Sequence, residues 1–66
     1  MRVTVNGDDT ELAQDTTVAA LVGTLTPERR RIAVALDGEV VPRSAWDSTV
    51  LRPGAAIEVL TAVAGG

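Results

Sequence analysis

The chain has 66 residues, enough for one small domain, and its 45% hydrophobic and 23% charged residues are typical of a sequence that folds. Six arginines against nine acidic residues give a formal net charge of −3, which argues against nucleic acid as a partner. Cysteine and histidine are absent, so the chain has no thiolate, disulfide or imidazole base. We therefore predict no catalytic residue of its own, no metal site and no bound cofactor.

The sequence also argues against a membrane partner. No apolar run approaches the roughly 20 residues that a bilayer span requires. Residues 1–5 lack the apolar segment of a signal peptide. We expect a cytoplasmic protein, and the absence of cysteine fits a reducing compartment.

The first part of the chain predicts a β-hairpin. Residues 1–5 alternate between apolar and polar side chains, the period of a half-buried strand. Asn6-Gly7 supplies the turn, since both central residues of a type I′ turn need positive φ. The return strand covers residues 8–13 with Thr10 and Leu12 facing inward, and its low hydrophobicity favours an edge position.

A short amphipathic helix follows. Asp15-Thr16-Thr17 offers side-chain oxygens that can cap its start, and Pro27 ends it or begins a new turn. Its apolar residues are spaced i, i+3, i+4, i+7, which places them on one face of a helix, and they are Val18, Leu21, Val22 and Leu25. Arg29-Arg30-Arg31 is expected to be a solvated run in the loop that follows.

Three further strands are predicted after the helix. Residues 32–36 alternate between large and small apolar side chains and form a central strand, which Asp37-Gly38 ends in a second type I′ turn. Residues 39–41 are confined to an edge because Pro42 cannot donate to a ladder. Pro53-Gly54 fits a type II turn and leads into the last strand, residues 56–62.

Residues 43–47 are predicted to form a loop or a turn of helix. They contain Trp46, the one aromatic residue, which we expect to pack over the end of the sheet rather than contact a partner. Arg43 could pair with a partner's carboxylate, but a solvated or locally paired surface charge is the favoured interpretation.

The element order β-β-α-β-β-β predicts an α+β fold, a ubiquitin-like β-grasp in which one helix covers a mixed four- to five-stranded sheet. We expect residues 1–62 to form this domain and residues 63–66 to form an extended, flexible C-terminal tail. The residues expected to face inward are Val3, Val5, Leu12, Val18, Leu21, Val22, Leu25, Val34, Leu36, Ile57 and Val59.

The C-terminal tail is the candidate chemical site. In a chain without cysteine or histidine, the α-carboxylate of Gly66 is the one distinctive reactive group. The tail Val63-Ala64-Gly65-Gly66 reaches at most about 14 Å when extended, and glycine without a Cβ passes through a narrow channel. A carboxylate is a poor electrophile, so acyl transfer would require activation by a separate enzyme, most simply as an acyl-adenylate made from ATP. A sulfur donor attacking that adenylate would leave a thiocarboxylate.

The sequence resembles the bacterial thiamine-biosynthesis sulfur carriers, the ThiS family, over nearly its whole length. The pieces that carry the resemblance are Thr17-Val18, Ala35-Leu36-Asp37-Gly38-Glu39-Val40-Val41-Pro42-Arg43 followed by Trp46, Pro53-Gly54, and Val63-Ala64-Gly65-Gly66. Val-Pro-Arg-x-x-Trp combined with Ala-Gly-Gly is the specific part of this set.

The resemblance implies a β-grasp carrier that is not itself an enzyme. An activating enzyme related to ubiquitin activators would adenylylate Gly66 with ATP, and a sulfur donor such as a cysteine desulfurase would supply the sulfur of the thiocarboxylate. Thiazole synthase would then receive that sulfur for the thiazole ring of thiamine. Val63, Ala64 and Gly65 would thread into the partner's active site.

A docking patch is predicted on the sheet face away from the helix. If the last strand is regular, Leu60 and Ala62 point to that face, beside the small Ala33 and Ala35. Such an apolar patch next to a reactive tail suits the activating enzyme and the synthase. The competing interpretation is that Leu60 is one scattered surface hydrophobe.

Three other functions stay open at this point. The same fold and Gly-Gly end would serve a sulfur carrier for the molybdenum cofactor or for cysteine synthesis. A non-reacting β-grasp interaction module would bind its partner without its terminal glycine. A protein-conjugating modifier would form adducts on lysines of other proteins, although the chain has no lysine on which to build chains on itself.

Overall fold

The computed structural model describes residues 1–25 and 32–61, with side chains up to Leu60. This part of the chain forms one mixed sheet covered by one helix, in the predicted element order. The elements are β1 Arg2–Val5, β2 Asp8–Glu11, α1 Val18–Leu25, β3 Ile32–Leu36, β4 Glu39–Val41, a 3₁₀ helix Arg43–Ala45 and β5 Ala56–Thr61. The arginine run and the predicted helix end at Pro27 lie outside the described residues.

The five strands are ordered β2-β1-β5-β3-β4. The strand β5 runs parallel to β1 and antiparallel to β3, so the last strand of the chain lies in the middle of the sheet. The predicted edge positions of β2 and β4 are confirmed. The strand β3 is paired on both sides, as a central strand requires, although β5 takes the middle position.

The hairpin turns are those that the sequence predicts. Asn6 and Gly7 have φ values of 51° and 85°, and Asp37 and Gly38 have φ values of 50° and 87°. Positive φ at both central positions is the geometry of a type I′ turn, which Asn-Gly and Asp-Gly favour. In the turn before β5, Gly54 has a φ of 83°.

Thr17 caps the helix α1. Its side-chain oxygen accepts a hydrogen bond from the backbone N–H of Ala20 at 3.1 Å, and so satisfies a donor at the helix start that lacks an intrahelical partner. The loop before β5 also holds the start of α1, because the N–H of Val18 donates to the backbone carbonyl of Thr49 at 2.9 Å. Conversely, the N–H of Leu51 donates to Thr16 at 2.8 Å.

The core lies between α1 and the inner face of the sheet. Its buried residues are Val3, Val5, Val18, Leu21, Val22, Ile32, Val34, Trp46, Leu51, Ala55 and Ile57. Three predicted inward residues pack against this core but are only partly buried, namely Leu12, Leu36 and Val59. The inward list omitted Ile32, Trp46, Leu51 and Ala55.

The prediction that Leu25 is buried is wrong. Its side chain is 50% exposed, because Leu25 is the last residue of α1 and lies at an open groove lined also by Leu12 and Ile32. The helical spacing gives the direction of a side chain but not whether the sheet extends beneath it.

Candidate functional site

The strand β5 is the element that precedes the predicted chemical site in the sequence. Its last residue is Thr61, and the tail residues Val63, Ala64, Gly65 and Gly66 lie outside the described residues. The predicted boundary between domain and tail therefore stays a prediction.

On its β3 side, β5 is paired along almost its whole length. The register runs from Leu36 opposite Ile57 to Ile32 opposite Thr61. This antiparallel pairing alternates the side chains of β5 between the two sheet faces. Ile57 is 1% exposed on the inner face, whereas Leu60 is 61% exposed on the outer face.

The structure brings together three of the four residues predicted for the docking patch. Leu60 lies directly opposite Ala33, so both side chains are on the outer face. Ala33 is exposed, and Ala35 lies two residues further along β3 and is half-buried. The fourth predicted residue, Ala62, lies outside the described residues.

Sequence reasoning missed a further member of this patch. Val40 of β4 lies opposite Ala35 and is 75% exposed, so it extends the apolar surface across a third strand. The alternation of β3 combined with the Asp37-Gly38 turn could have placed it there, because a two-residue turn fixes the pairing of the strands on either side. Leu60, Ala33, Ala35 and Val40 are called the outer apolar patch below.

Charged side chains also lie on the outer face. Glu58 lies opposite Ala35 and is exposed beside the outer apolar patch. On the far strands, Arg2 lies opposite Glu11. A hydrogen bond from the α-ammonium of Met1, at 2.9 Å, and its positive charge lower the pKa of Glu11 below its usual value, with a smaller contribution from Arg2 at 3.7 Å.

Trp46 lies away from this face, inside the core. Its side chain is 1% exposed, and its indole N–H donates to the carbonyl of Val41 at 2.9 Å. The guanidinium of Arg43 lies 5.5 Å from the centre of the indole ring, within the range of a cation–π contact. The burial and the hydrogen bond of Trp46 confirm its structural role. The cation–π contact shows that Arg43 is paired locally.

Residues 1–25 and 32–61 contain no group of three or more histidine, cysteine or acidic side chains that could hold a metal ion. Within the same part of the chain, no helix has both the length and the apolar character needed to cross a membrane.

The fold and the position of β5 define a class of protein, the ubiquitin-like β-grasp. The structure matches the crystal structure of the thiamine biosynthesis protein ThiS from Geobacter metallireducens with a TM-score of 0.86 and 35% identity, over 100% of both chains. An NMR structure of a thiamine biosynthesis protein from the same organism gives a TM-score of 0.81 at 35% identity, over 100% of this chain and 88% of the other.

The family follows from the sequence itself. The model of the ThiS family matches residues 3–66, nearly the whole chain. The chain therefore belongs to the ThiS family, the small sulfur carrier proteins of thiamine biosynthesis. The resemblance described from the sequence motifs is confirmed.

One curated relative is much longer than this chain. A thiazole synthase from Paramagnetospirillum magneticum is 30% identical over 66 residues, which are 100% of this chain and 20% of that protein. This chain thus spans about a fifth of the length of that relative.

Proposed function

We propose that this chain carries sulfur as a thiocarboxylate on Gly66 and delivers it to thiazole synthase during thiamine biosynthesis. The observation that carries the proposal is that the family match extends through Gly66, on a body whose middle strand leads toward that residue. The chain acts as a consumable co-substrate, and separate enzymes carry out the chemistry.

Two transfers at the Gly66 carboxyl group account for the loading. A carboxylate oxygen attacks the α-phosphorus of ATP, pyrophosphate leaves, and an acyl-adenylate forms. A sulfide sulfur then attacks the carbonyl carbon, and AMP leaves with the bonding electron pair. The product loses a proton at neutral pH and is a thiocarboxylate, whose sulfur is the nucleophile passed on to the synthase.

The outer apolar patch is the docking surface that we propose for the activating enzyme and for the synthase. It includes Leu60 on the strand that leads into the tail, so a partner bound there lies close to the root of the tail. Exposed apolar side chains that are contiguous across three strands are typical of an interaction surface. Glu58 beside the patch suits a partner with basic residues at the rim of its contact area.

Thiazole synthase as a partner is supported by the long relative. In that protein, a region similar to this whole chain belongs to a polypeptide named thiazole synthase. We infer that this chain meets a thiazole synthase in the same way that the similar region of the relative meets the rest of its polypeptide. The proposed sulfur donor is of the cysteine desulfurase type, which carries sulfur as a persulfide, so a thiol reductant must supply two electrons to release that sulfur at the sulfide level used in the loading step. The proposed compartment is the cytoplasm.

The test is intact-mass measurement after incubation with ATP, the activating enzyme and sulfide. The expected result is a mass gain equal to the replacement of one oxygen by sulfur, mapped by fragmentation to Gly66. A chain that lacks Gly66 serves as the matched control and should remain unmodified. An unchanged mass of the full chain, with an enzyme that loads another carrier, would overturn the proposal.

The choice of pathway is tested with the loaded chain. Transfer of its sulfur to thiazole synthase, measured as thiazole formation, is expected. Transfer only to enzymes of molybdenum cofactor or cysteine synthesis would retain the carrier chemistry and overturn its assignment to thiamine biosynthesis.

A further inference from the structure

The two sides of β5 are supported unequally near the tail. The β3 side is paired up to Thr61, but the β1 side has only the pairs of Thr4 with Ala56 and Val5 with Ile57. After Val5 the first hairpin turns away at Asn6-Gly7. Among the residues that the structure describes, no strand residue therefore pairs with β5 beyond Ile57 on its β1 side.

The side chain of Asn6 takes the place of the missing strand. Its amide nitrogen donates to the carbonyl of Val59 at 3.3 Å, and its amide oxygen accepts from the N–H of Val59 at 2.9 Å. The backbone N–H of Asn6 also donates to the carbonyl of Ile57 at 2.8 Å. A side-chain amide that binds both the N–H and the C=O of one residue reproduces what a peptide unit does in a ladder.

A matching contact lies at the opposite end of β5. Asp37, in the second hairpin turn, accepts from the N–H of Ala56 at 2.9 Å through its side chain, and its own N–H donates to the carbonyl of Ala56 at 2.8 Å. Asn6 and Asp37 thus hold the same strand from two turns of the same type. Asn6 holds the end near the tail, and Asp37 holds the beginning.

We propose that Asn6 is a positioning residue for the reactions of Gly66, an inference that rests on the proposed carrier function. Val59 lies two residues before Thr61, the last residue of β5, so the Asn6 amide fixes the part of the strand from which the tail leaves. Without that amide, β5 beyond Ile57 is paired through β3 alone. A looser strand end presents the partner enzyme with a less defined segment ahead of Gly66, which lowers the rate of an attack that depends on orientation.

The competing explanation is that asparagine is present only because the turn needs positive φ. Glycine satisfies that need without a side chain, so Asn6→Gly removes the contacts with Val59 and keeps the turn. Asp37→Gly is the matched control, because it makes the corresponding change in the other turn and releases the far end of β5. Comparing the two variants distinguishes the effect of changing a turn residue from the effect of losing the side-chain contact with Val59.

The experiment measures adenylylation of Gly66 by ATP–pyrophosphate exchange with the activating enzyme, at a temperature where circular dichroism shows both variants folded. Asn6→Gly is expected to lower kcat by about three- to tenfold with KM nearly unchanged, since the outer apolar patch stays intact. Asp37→Gly is expected to leave kcat unchanged. Amide exchange of Val59 should accelerate in Asn6→Gly and not in Asp37→Gly.

Equal kcat values for the two variants, or a loss confined to KM, would overturn the positioning role. If Asn6→Gly does not fold, the comparison passes to Asn6→Asp and Asp37→Asn. Asn6→Asp loses the donor to Val59, whereas Asp37→Asn keeps the acceptor for Ala56, so only the first should lower kcat. Failure of the proposed function is distinct, because the unaltered chain would then show no exchange with an enzyme that activates another carrier.

Discussion

Ile57 and Leu60 lie three residues apart in β5, on opposite faces of the sheet. Ile57 is 1% exposed and packs between the sheet and α1, while Leu60 is 61% exposed on the outer face. Both are apolar, so residue type does not separate them. The inner face of the middle strand therefore holds the fold together, while its outer face is available to a partner.

The largest expected effect is a loss of stability when Ile57, on the inner face of β5, is truncated. Ile57→Ala should lower the free energy of unfolding by about 2–5 kcal/mol, because it removes buried apolar contacts and leaves a cavity. A domain of this size has little stability to spare, so part of the population should unfold at room temperature. Urea denaturation followed by circular dichroism measures the change.

Leu60→Ala is the control in the same strand. It should change the free energy of unfolding by no more than about 0.5 kcal/mol, as is usual for an exposed site. Equal losses in the two variants would mean that the two faces of β5 do not differ in their contribution to stability.

The next largest effect is on the binding of a partner to the outer face of the sheet, where Leu60 lies. Leu60→Arg should leave the fold intact and raise the Kd for the activating enzyme about tenfold or more, because it places a charge in the centre of an apolar contact. Isothermal titration calorimetry measures the Kd.

Val50→Arg makes a comparable change outside the patch. Val50 is 47% exposed and bridges Thr17 at the start of α1, away from the outer face. Its Kd should match that of the unaltered chain. An unchanged Kd for Leu60→Arg would remove the outer apolar patch as a docking surface.

A smaller effect tests how far the patch extends. Val40→Arg should raise the same Kd about threefold, since Val40 lies on an edge strand at the margin of the contact. The measurement is the titration used for Leu60. A Kd equal to that of the unaltered chain would restrict the patch to β5 and β3.

The smallest effect involves the charged part of the outer face. The folded-state pKa of Glu11 is lowered, first by the hydrogen bond from the Met1 α-ammonium, so its ionised form stabilises the fold above the unfolded-state pKa. That contribution is lost as the pH falls through the folded-state pKa. Glu11→Gln should therefore lower Tm slightly at neutral pH and match the unaltered chain in acid. A Tm difference that persists in acid would contradict this cause.

Local structure was largely predictable. The turns at Asn6-Gly7 and Asp37-Gly38 depend on residues that tolerate positive φ, and the start of α1 depends on the Thr17 side chain. These determinants lie within a few residues of the structure that they specify. Leu25 was wrongly expected in the core because its burial depends on what lies beneath the helix end.

The candidate site was only partly predictable. Leu60 and Ala33 could be assigned to the outer face from strand alternation alone. Assigning Val40 to the same surface depends on the register between β3 and β4, which pairs it with Ala35. The Asn6 amide contacts Val59 across 53 positions of sequence, and no local pattern indicates that pair.

The sequence by itself determined the elements, their turns, the fold class and the resemblance to the ThiS family, because these depend on residue type and short-range spacing. The tertiary structure decided that β5 lies in the middle of the sheet, that Val40 joins Leu60 and Ala33 on one surface, and that Asn6 holds Val59. Hydrogen bonds between distant strands fix which residues become neighbours, and most of them join backbone N–H and C=O groups that all residue types except proline carry, so side-chain type does not reveal the pairing. At Val59 the side-chain amide of Asn6, which is distant in sequence, takes the place of such a backbone partner.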